Sequence, residues 1–335
     1  MFTTRDNARR CRLRLLAAGA LACAQMLLVP AASAGLTVFA PDESAAEEFV
    51  RQLRATQGSE HLELVRVARR GSAAGAPAPE PAPAIAARGQ GKAPRGVPKR
   101  AGNDGWTLAL GPAAAREAMG RESDEPLVLA MLSRTDYDQL KDNPALRRGE
   151  RRLGVLLREA PMREQLALID AALPEKRRLG VVSTPGGEAA LRELREAAQG
   201  WDLQVAIAPD AKSIGQALRA VLPRSDALIV LPDLIGEDAA ASQALLRGAA
   251  GAGVPVFGSS EKLVRSGGLA AVVATPEQQA LQARALGRKV AGARPGVQIE
   301  TPMPLTVRVN PTVAEGLGLR LPSEHELDQR VGTGR

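Results

Sequence analysis

The sequence predicts an α/β protein built on a doubly wound, mainly parallel sheet. Short apolar runs of strand length alternate with helix-forming runs from residue 36 to residue 291. Helices of this length between strands favour right-handed crossovers that bring successive strands into one parallel sheet. The chain has 335 residues, which is enough for a pair of domains that each bury their own core.

The first elements form a β-α-β unit, which is the building block of a parallel sheet. Residues 36–40 are an apolar run and predict a strand. Ser44 predicts a cap for a helix over residues 45–55, which carries Phe49 and other apolar side chains on one face. Residues 62–68 predict the second strand.

The alternation then continues in order to the end of the predicted sheet structure. Turn and breaker residues support the boundaries, because Gly111-Pro112 follows one strand, Ser133 follows the next and Pro174 ends a helix. Further strands are predicted at residues 106–110, 127–132, 153–157, 179–183, 203–208, 227–231, 255–258 and 269–274. Further helices are predicted at residues 113–119, 162–173, 188–199, 213–221, 239–251 and 277–291.

Residues 71–104 interrupt this pattern with alanine, proline, glycine and basic residues and almost no large apolar side chains. Such a composition buries too little surface to offset the entropy of ordering, so the segment is predicted to be disordered. It lies inside the first α/β unit, between its second and third strands. It therefore interrupts that unit and does not divide two domains.

The first 34 residues predict a secretory signal peptide. Five arginines precede an apolar run from residue 15 to residue 29, and Ala32-Ser-Ala34 provides a small-residue cleavage site. The alternatives are a buried N-terminal helix or retained anchor, and lipid attachment at Cys23, whose preceding residues match a lipidation signal poorly. Cys11 and Cys23 both lie in this segment, so cleavage after Ala34 leaves a chain without thiols, disulfides or cysteine-bound metal.

The charge distribution argues against nucleic acid as a partner. The formal net charge is +7, but the first 34 residues hold five arginines and one aspartate, which leaves +3 for residues 35–335. The whole of that +3 lies within residues 71–104, so the predicted folded part is neutral. Nucleic-acid binders carry basic charge on a folded face, commonly with aromatic side chains, which are only 2% of this chain.

Several segments in order resemble one known family. Gly154-Val-Leu-Leu157 is followed by a helix that ends at Pro174 and by a basic stretch leading into Gly180-Val-Val182. Pro255-Val-Phe-Gly-Ser-Ser-Glu261, Gly267-Gly268 and the run from Val309 to Pro322 come later. This order is similar to that of ABC transporter substrate-binding proteins. The resemblance implies a type I periplasmic-binding-protein fold: two doubly wound parallel-sheet lobes joined by a hinge of several crossings.

The resemblance also implies a domain organisation. The predicted lobe-to-lobe crossings lie near residues 154–158, 272–275 and 306–310. The predicted segments are the signal peptide (1–34), the first lobe (35–157, interrupted at 71–104), the second lobe (158–273), a helix returning to the first lobe (274–300), a C-terminal crossing strand and helix (301–325) and a flexible tail (326–335). The family normally has a helix where residues 71–104 stand, so one flank of the first lobe is predicted to lack cover and to offer a docking surface.

Candidate ligand-binding residues follow from the rule that ligands sit beyond the carboxyl ends of parallel strands. Small hydroxyl residues let the backbone approach a ligand, and an aspartate accepts a hydrogen bond from an ammonium group. The predicted ligand-binding residues are Ser44, Gly111, Ser133, Ser183, Thr184, Asp233, Ser259 and Ser260. For each serine and for Asp233 the alternative is a helix cap. Arg134 or Arg158 could clamp an anionic group, or be an ordinary surface arginine.

The predicted function is capture of a small organic, amino-acid-like ligand by a periplasmic, monomeric solute-binding protein that delivers it to an ABC permease in the inner membrane. No cofactor and no metal are predicted. The alternative is an accessory envelope protein that uses the fold to bind another protein. Catalysis ranks third, because His61 and His325 are far apart and Ser259-Ser-Glu-Lys262 matches a serine-enzyme motif without its companion motifs.

Overall fold

The structure is a computed structural model that describes residues 35–56, 61–67, 105–147 and 151–333. The predicted signal peptide, both cysteines and the predicted disordered segment lie outside the described residues. In the described part, no helix combines the length and the apolar character needed to cross a membrane.

The strands and helices are numbered in chain order. The strands are β1 (Gly35–Pro41), β2 (His61–Val67), β3 (Trp106–Leu110), β4 (Leu127–Leu132), β5 (Arg152–Leu157), β6 (Arg178–Ser183), β7 (Asp202–Ile207), β8 (Ala227–Ile229), β9 (Val256–Gly258), β10 (Ala270–Val273), β11 (Gly296–Glu300) and β12 (Thr306–Val309). The helices are α1 (Ser44–Ala55), α2 (Gly111–Met119), α3 (Arg134–Leu140), α4 (Pro144–Arg147), α5 (Met162–Ala172), α6 (Glu188–Ala197), α7 (Ile214–Val221), α8 (Leu234–Glu237), α9 (Ala239–Gly251), α10 (Glu261–Arg265), α11 (Pro276–Ala291), α12 (Pro311–Gly316) and α13 (Glu324–Thr333).

The first lobe is a six-stranded sheet in the order β11-β5-β4-β3-β1-β2, with every neighbouring pair parallel. Helices α1 and α11 cover one face, and α2 with α3 covers the other. A glycine allows a helix to approach the sheet closely in this lobe, since a Cβ at Gly287 would lie 2.6 Å from the ring of the buried Trp106. The backbone of α11 at Gly287 therefore packs directly against the Trp106 ring of β3.

The second lobe repeats the plan, with strand order β12-β10-β9-β8-β6-β7. All neighbouring pairs are parallel except β10 with β12, which is antiparallel. Helices α5, α6 and α13 cover one face, while α7 and α9 cover the other. Two separate cores, one on each face, make this a doubly wound sheet of the predicted class.

Three chain segments cross between the lobes. They are residues 158–161, between β5 and α5; residues 274–275, between β10 and α11; and residues 301–305, between β11 and β12. The third crossing was predicted at residues 306–310, but those residues pair with β10 inside the second sheet. The crossing lies just before residue 306, between β11 in the first sheet and β12 in the second.

Glutamines at the start of α11 connect all three crossings. The Gln279 amide donates to the carbonyl oxygens of Arg158 (3.5 Å) and Ala274 (3.4 Å). The Gln282 side chain donates to Thr301 O (2.9 Å) and accepts from the backbone N–H of Met303 (2.8 Å). One helix end therefore holds the crossings side by side, which gives the two lobes a common hinge.

Other expectations need correction. Residues 326–335 were predicted to be a flexible tail, but α13 extends to Thr333 and its Leu327 and Val331 are buried in the second lobe. Residues 274–300 were predicted as a returning helix alone, and the segment also adds the edge strand β11. Ser44 was predicted to cap α1, but it is exposed and the capping position is Glu43, without a side-chain hydrogen bond.

Candidate functional site

The carboxyl ends of the two sheets meet in a cleft between the lobes. Loops after β4 and β5 form the first-lobe wall, and loops after β6 and β8 form the second-lobe wall. A small recess beside the hinge is lined by Arg134, Glu159, Met162, Glu193, Pro232 and Thr301, among others. The ligand rule for parallel sheets selects this cleft as the candidate site.

Asp233 organises the second-lobe wall. Its Oδ2 accepts from the backbone N–H of Thr184 (2.8 Å), and its Oδ1 accepts from the backbone N–H of Ile235 (2.9 Å) at the start of α8. The carboxylate thus ties the loop after β6 to the loop after β8. Asp233 is therefore a helix cap in the cleft wall, and its role in ligand binding stays a prediction.

Glycine is required where these two loops touch. A Cβ at Gly187 would lie 2.7 Å from Ser183 Oγ and 2.8 Å from Asp233 Oδ2, closer than side chains approach one another. Ser183, Thr184 and Asp233 are all buried, at 1%, 2% and 4% exposed. Three of the predicted ligand-binding residues therefore form one compact polar cluster.

The electrostatics of this cluster are those of a buried carboxylate. Burial raises the pKa of Asp233, while its hydrogen bonds from Thr184 and Ile235 act in the opposite direction. The Thr184 hydroxyl lies near this carboxylate, but its oxygen is buried without a hydrogen bond of normal geometry. The cluster can accept a hydrogen bond from a cationic or hydroxyl donor.

The first-lobe wall begins at an irregular strand end. The register of β4 against β5 shifts between Leu129 and Leu132, and Met131 has a φ of 57°, in the left-handed region. After this bulge, Ser133 caps α3: its Oγ accepts from the Asp136 N–H (2.9 Å), and its own N–H donates to Asp136 Oδ2 (2.9 Å). Ser133 is thus a helix cap at the edge of the cleft.

The two walls are in direct contact. The Thr135 hydroxyl donates to Gly186 O (3.2 Å), with Pro232 O at 3.5 Å, and both acceptors belong to the second lobe. The two arginines singled out in the sequence face carboxylates of the second lobe. Arg134 lies 3.7 Å from Glu193, while Arg158 forms an ion pair with Glu237.

Glu159 is the buried centre of the first-lobe charges, with 8% exposure. Its Oε1 accepts from Arg158 Nε (3.2 Å) and Nη2 (3.0 Å), and its Oε2 accepts from the Arg134 N–H (3.2 Å). Burial raises the pKa of Glu159, although Arg158 acts against it. Burial opposes the charge on Arg158, but Glu159 and Glu237 outweigh it and raise the pKa of that guanidinium.

The remaining predicted residues lie apart from the Asp233 cluster. Gly111 follows β3 as the first residue of α2, with a φ of 79° that suits glycine, and Ser44 is exposed at the start of α1, after the neighbouring strand β1. Ser259 and Ser260 follow β9 and are half-buried. Ser260 Oγ accepts from the Leu263 N–H (3.2 Å) and caps α10. Among the described residues, the side-chain hydrogen bonds of Asp233 go to Thr184 and Ile235 and not to any of these four.

Sequence reasoning missed Thr135, Glu159, Glu193 and Glu237. These residues come from four separate segments that only the folded chain brings together. No local motif carries that information. Arg134 and Arg158 could have indicated these residues, because an arginine at the end of a strand commonly pairs with a carboxylate.

The arrangement suits non-covalent binding. It supplies carboxylates, guanidinium groups, hydroxyls and backbone N–H groups, which are the usual means of orienting a polar ligand. Among the described residues, no group of three or more His, Cys, Asp or Glu side chains could hold a metal ion.

Comparisons with known proteins agree with this geometry. The family model described as ABC transporter substrate binding protein matches residues 146–327. A comparison with curated proteins finds no match. The structure is similar to an ABC domain in complex with L-Trp from Streptococcus pneumonia, with 16% identity, a TM-score of 0.55 and coverage of 89% of this chain and 99% of that chain.

Two further structures share the fold. A conserved domain protein from Vibrio cholerae has 19% identity and a TM-score of 0.55, covering 89% of this chain and 98% of that chain. The ligand-free, open structure of a substrate-binding protein with adhesive properties from Clostridium difficile has 14% identity and a TM-score of 0.60, covering 87% and 96%. With the family model covering more than half of the sequence, the chain belongs to the ABC transporter substrate-binding protein family and has its two-lobed, type I periplasmic-binding-protein fold.

Proposed function

We propose that the protein is the extracytoplasmic solute-binding component of an ABC importer. It captures a small organic ligand in the cleft, and the lobes close around that ligand by motion about the three crossings. The observation that carries this proposal is the meeting of the two sheets at their carboxyl ends, with charged and hydroxyl side chains on both walls. Ligand contacts made only when both walls meet would favour the closed state.

An amino-acid-like ligand fits the chemistry of the walls. The first-lobe wall presents Arg134 and Arg158, which can bind a carboxylate, and Asp233 in the second-lobe wall can accept from an ammonium group. Two large apolar side chains are exposed at the same end of the second sheet, Ile207 as the last residue of β7 (58%) and Leu234 after β8 (42%). They offer apolar surface beside the Asp233 cluster for the rest of such a ligand.

The proposal includes location and partners. The predicted signal peptide would direct the chain to the periplasm, where the protein would work as a monomer and deliver its ligand to an ABC permease of the inner membrane. Ser44, Gly111, Ser133, Ser183, Thr184, Asp233, Ser259 and Ser260 are proposed to line the ligand site.

Native mass spectrometry tests the proposal. Protein purified from the periplasm is exposed to a pool of amino acids and related metabolites, and each mass adduct is checked by a thermal shift. The proposal expects one discrete adduct, which Asp233→Ala weakens at least tenfold and the exposed Asp202→Ala leaves unchanged. A folded protein that binds none of the pool, or an adduct insensitive to Asp233→Ala, contradicts the proposed ligand site.

A second candidate function is an accessory envelope protein that uses the same fold to bind another protein. The contact of Thr135 with Gly186 and Pro232 favours it, because protein atoms already fill part of the cleft. Cross-linking in the periplasm distinguishes the two functions. Specific capture of an envelope protein, together with absence of any small-molecule adduct, would support the accessory function.

A further inference from the structure

The contacts across the cleft are made by the protein's own side chains. Arg134 of the first lobe pairs with Glu193 of the second, and Arg158, in the first crossing, pairs with Glu237 of the second. Thr135 lies next to the first arginine and bonds to the loops after β6 and β8. All three contacts join the first lobe, or the crossing after β5, to the second lobe.

Each ion pair has one partner held in place by its own lobe. Arg158 is fixed by two hydrogen bonds to the buried Glu159. Glu193 accepts from the Met162 N–H (3.0 Å) through Oε1, which directs Oε2 towards Arg134. Because these side chains are already ordered, pairing costs less conformational entropy than it would for two free surface side chains.

Glu159 also connects the two ion pairs. One of its oxygens holds the Arg158 guanidinium, and the other holds the backbone N–H of Arg134. Glu159 lies in the first crossing, at the hinge. The two pairs are therefore positioned by one buried carboxylate next to the axis about which the lobes would turn.

We propose that the pairs Arg134–Glu193 and Arg158–Glu237, with Thr135 beside them, form a latch that holds the two lobes together through protein contacts alone. This inference rests on the proposed function, since it concerns how access to that cleft is regulated. A ligand that needs either arginine has to displace its glutamate. Molecules held closed by the latch cannot bind the ligand. The apparent affinity is therefore the affinity of the open state multiplied by the fraction of molecules that are open.

The latch is weak enough to open. The four charged side chains are 31–50% exposed, and half-exposed pairs change an equilibrium about two- to five-fold each. Salt screens them, because the Debye length falls from about 10 Å at 0.1 M to about 3 Å at 1 M. Opening should therefore increase with ionic strength in the wild type and lose that dependence when the glutamates are neutralised.

Distances between spin labels test the latch without any ligand. The full chain carries Cys11→Ser and Cys23→Ser, with labels at Glu122→Cys in the first lobe and Lys212→Cys in the second, both exposed positions. Pulsed electron paramagnetic resonance then gives the open and closed populations at 0.05 M and 1 M NaCl. The variants are Glu193→Gln, Glu237→Gln and their combination. Glu196→Gln on α6 is the matched control, an exposed residue for which the structure shows no ion pair.

The latch predicts an open-to-closed ratio raised about two- to five-fold by each variant and by more in the combination. It also predicts that salt opens the wild type and the control but not the double variant. Equal populations in all proteins, or a wild type that is open at low salt, would overturn the latch. Neither result bears on the adduct experiment, so failure of the latch is distinguishable from failure of the proposed function.

Discussion

The clearest test of the second-lobe wall is Asp233→Asn. Each carboxylate oxygen of Asp233 accepts a backbone N–H, from Thr184 (2.8 Å) and from Ile235 (2.9 Å). Asparagine keeps one acceptor oxygen, and its NH2 group must then face the other backbone donor. The substitution therefore loses one hydrogen bond to a charged group and leaves a buried N–H without an acceptor.

The expected loss is about 2–3 kcal/mol in the free energy of unfolding, because bonds to charged groups contribute about 1.5–3 kcal/mol and an unpaired buried group has a cost of similar size. For a protein of this size, that lowers Tm by roughly 3–5 °C. Circular dichroism melts and urea titration measure the change.

Asp202→Asn is the matched control for this test. Asp202 is exposed and accepts only from the Gln204 side chain (2.8 Å), so its replacement should alter stability by less than about 0.5 kcal/mol. If Asp233→Asn melts together with Asp202→Asn, then Asp233 does not tie the two loops together. The description of this cleft wall would then be wrong.

Three other substitutions test contacts that hold the two lobes' sheets and helices together. Arg178 lowers the pKa of Asp226 from 3.8 to about 2, so the stability from this pair is present above pH 4 and is lost as the pH falls towards 2. Asp226→Asn should lower the free energy of unfolding by about 1 kcal/mol at pH 7, because solvent screens this pair through the exposed Arg178. Chemical denaturation at several pH values should show that the difference between variant and wild type becomes smaller below pH 4. Gln165→Leu removes the amide that donates to Val272 O (2.7 Å) and accepts from Val272 N–H (3.0 Å). Two buried groups are left unpaired, so urea titration should show a loss of about 2–4 kcal/mol, and an unchanged midpoint would contradict this bridge. Gly287→Ala forces a methyl group against the indole ring beneath it and should cost about 1–3 kcal/mol in thermal melts, whereas a wild-type melt would disprove the close contact.

Strands were predictable where apolar runs end at clear breakers. The bounds predicted for β3 and β4 match the structure, because each run is continuously apolar or nearly so and Gly111-Pro112 or Ser133 follows it. Strand β11 was missed. Its sequence Gly296-Val-Gln-Ile-Glu300 alternates apolar and polar residues, and Val297 and Ile299 are 45% and 47% exposed at the sheet edge. A half-exposed edge strand of five residues lacks the apolar run by which the buried strands were recognised.

The candidate site was less predictable because capping and ligand binding use the same residue types. Ser133, Ser260 and Asp233 do cap helices in the structure. The sequence could indicate that they lie at strand ends but not how their oxygens are used. The cross-cleft contacts of Thr135 and Glu193 depend on the angle between the lobes, which is a property of the whole fold.

The order in which the chain completes its sheets has a consequence for assembly. The first sheet receives its edge strand β11 at residues 296–300, and the second receives β12 at residues 306–309. Both sheets therefore need strands from the last forty residues to be complete. The first strands of the two sheets, β1 and β6, lie more than a hundred residues apart in the sequence. Loss of this short segment would strip an outer strand from both sheets at once, so the two halves should gain and lose their structure together.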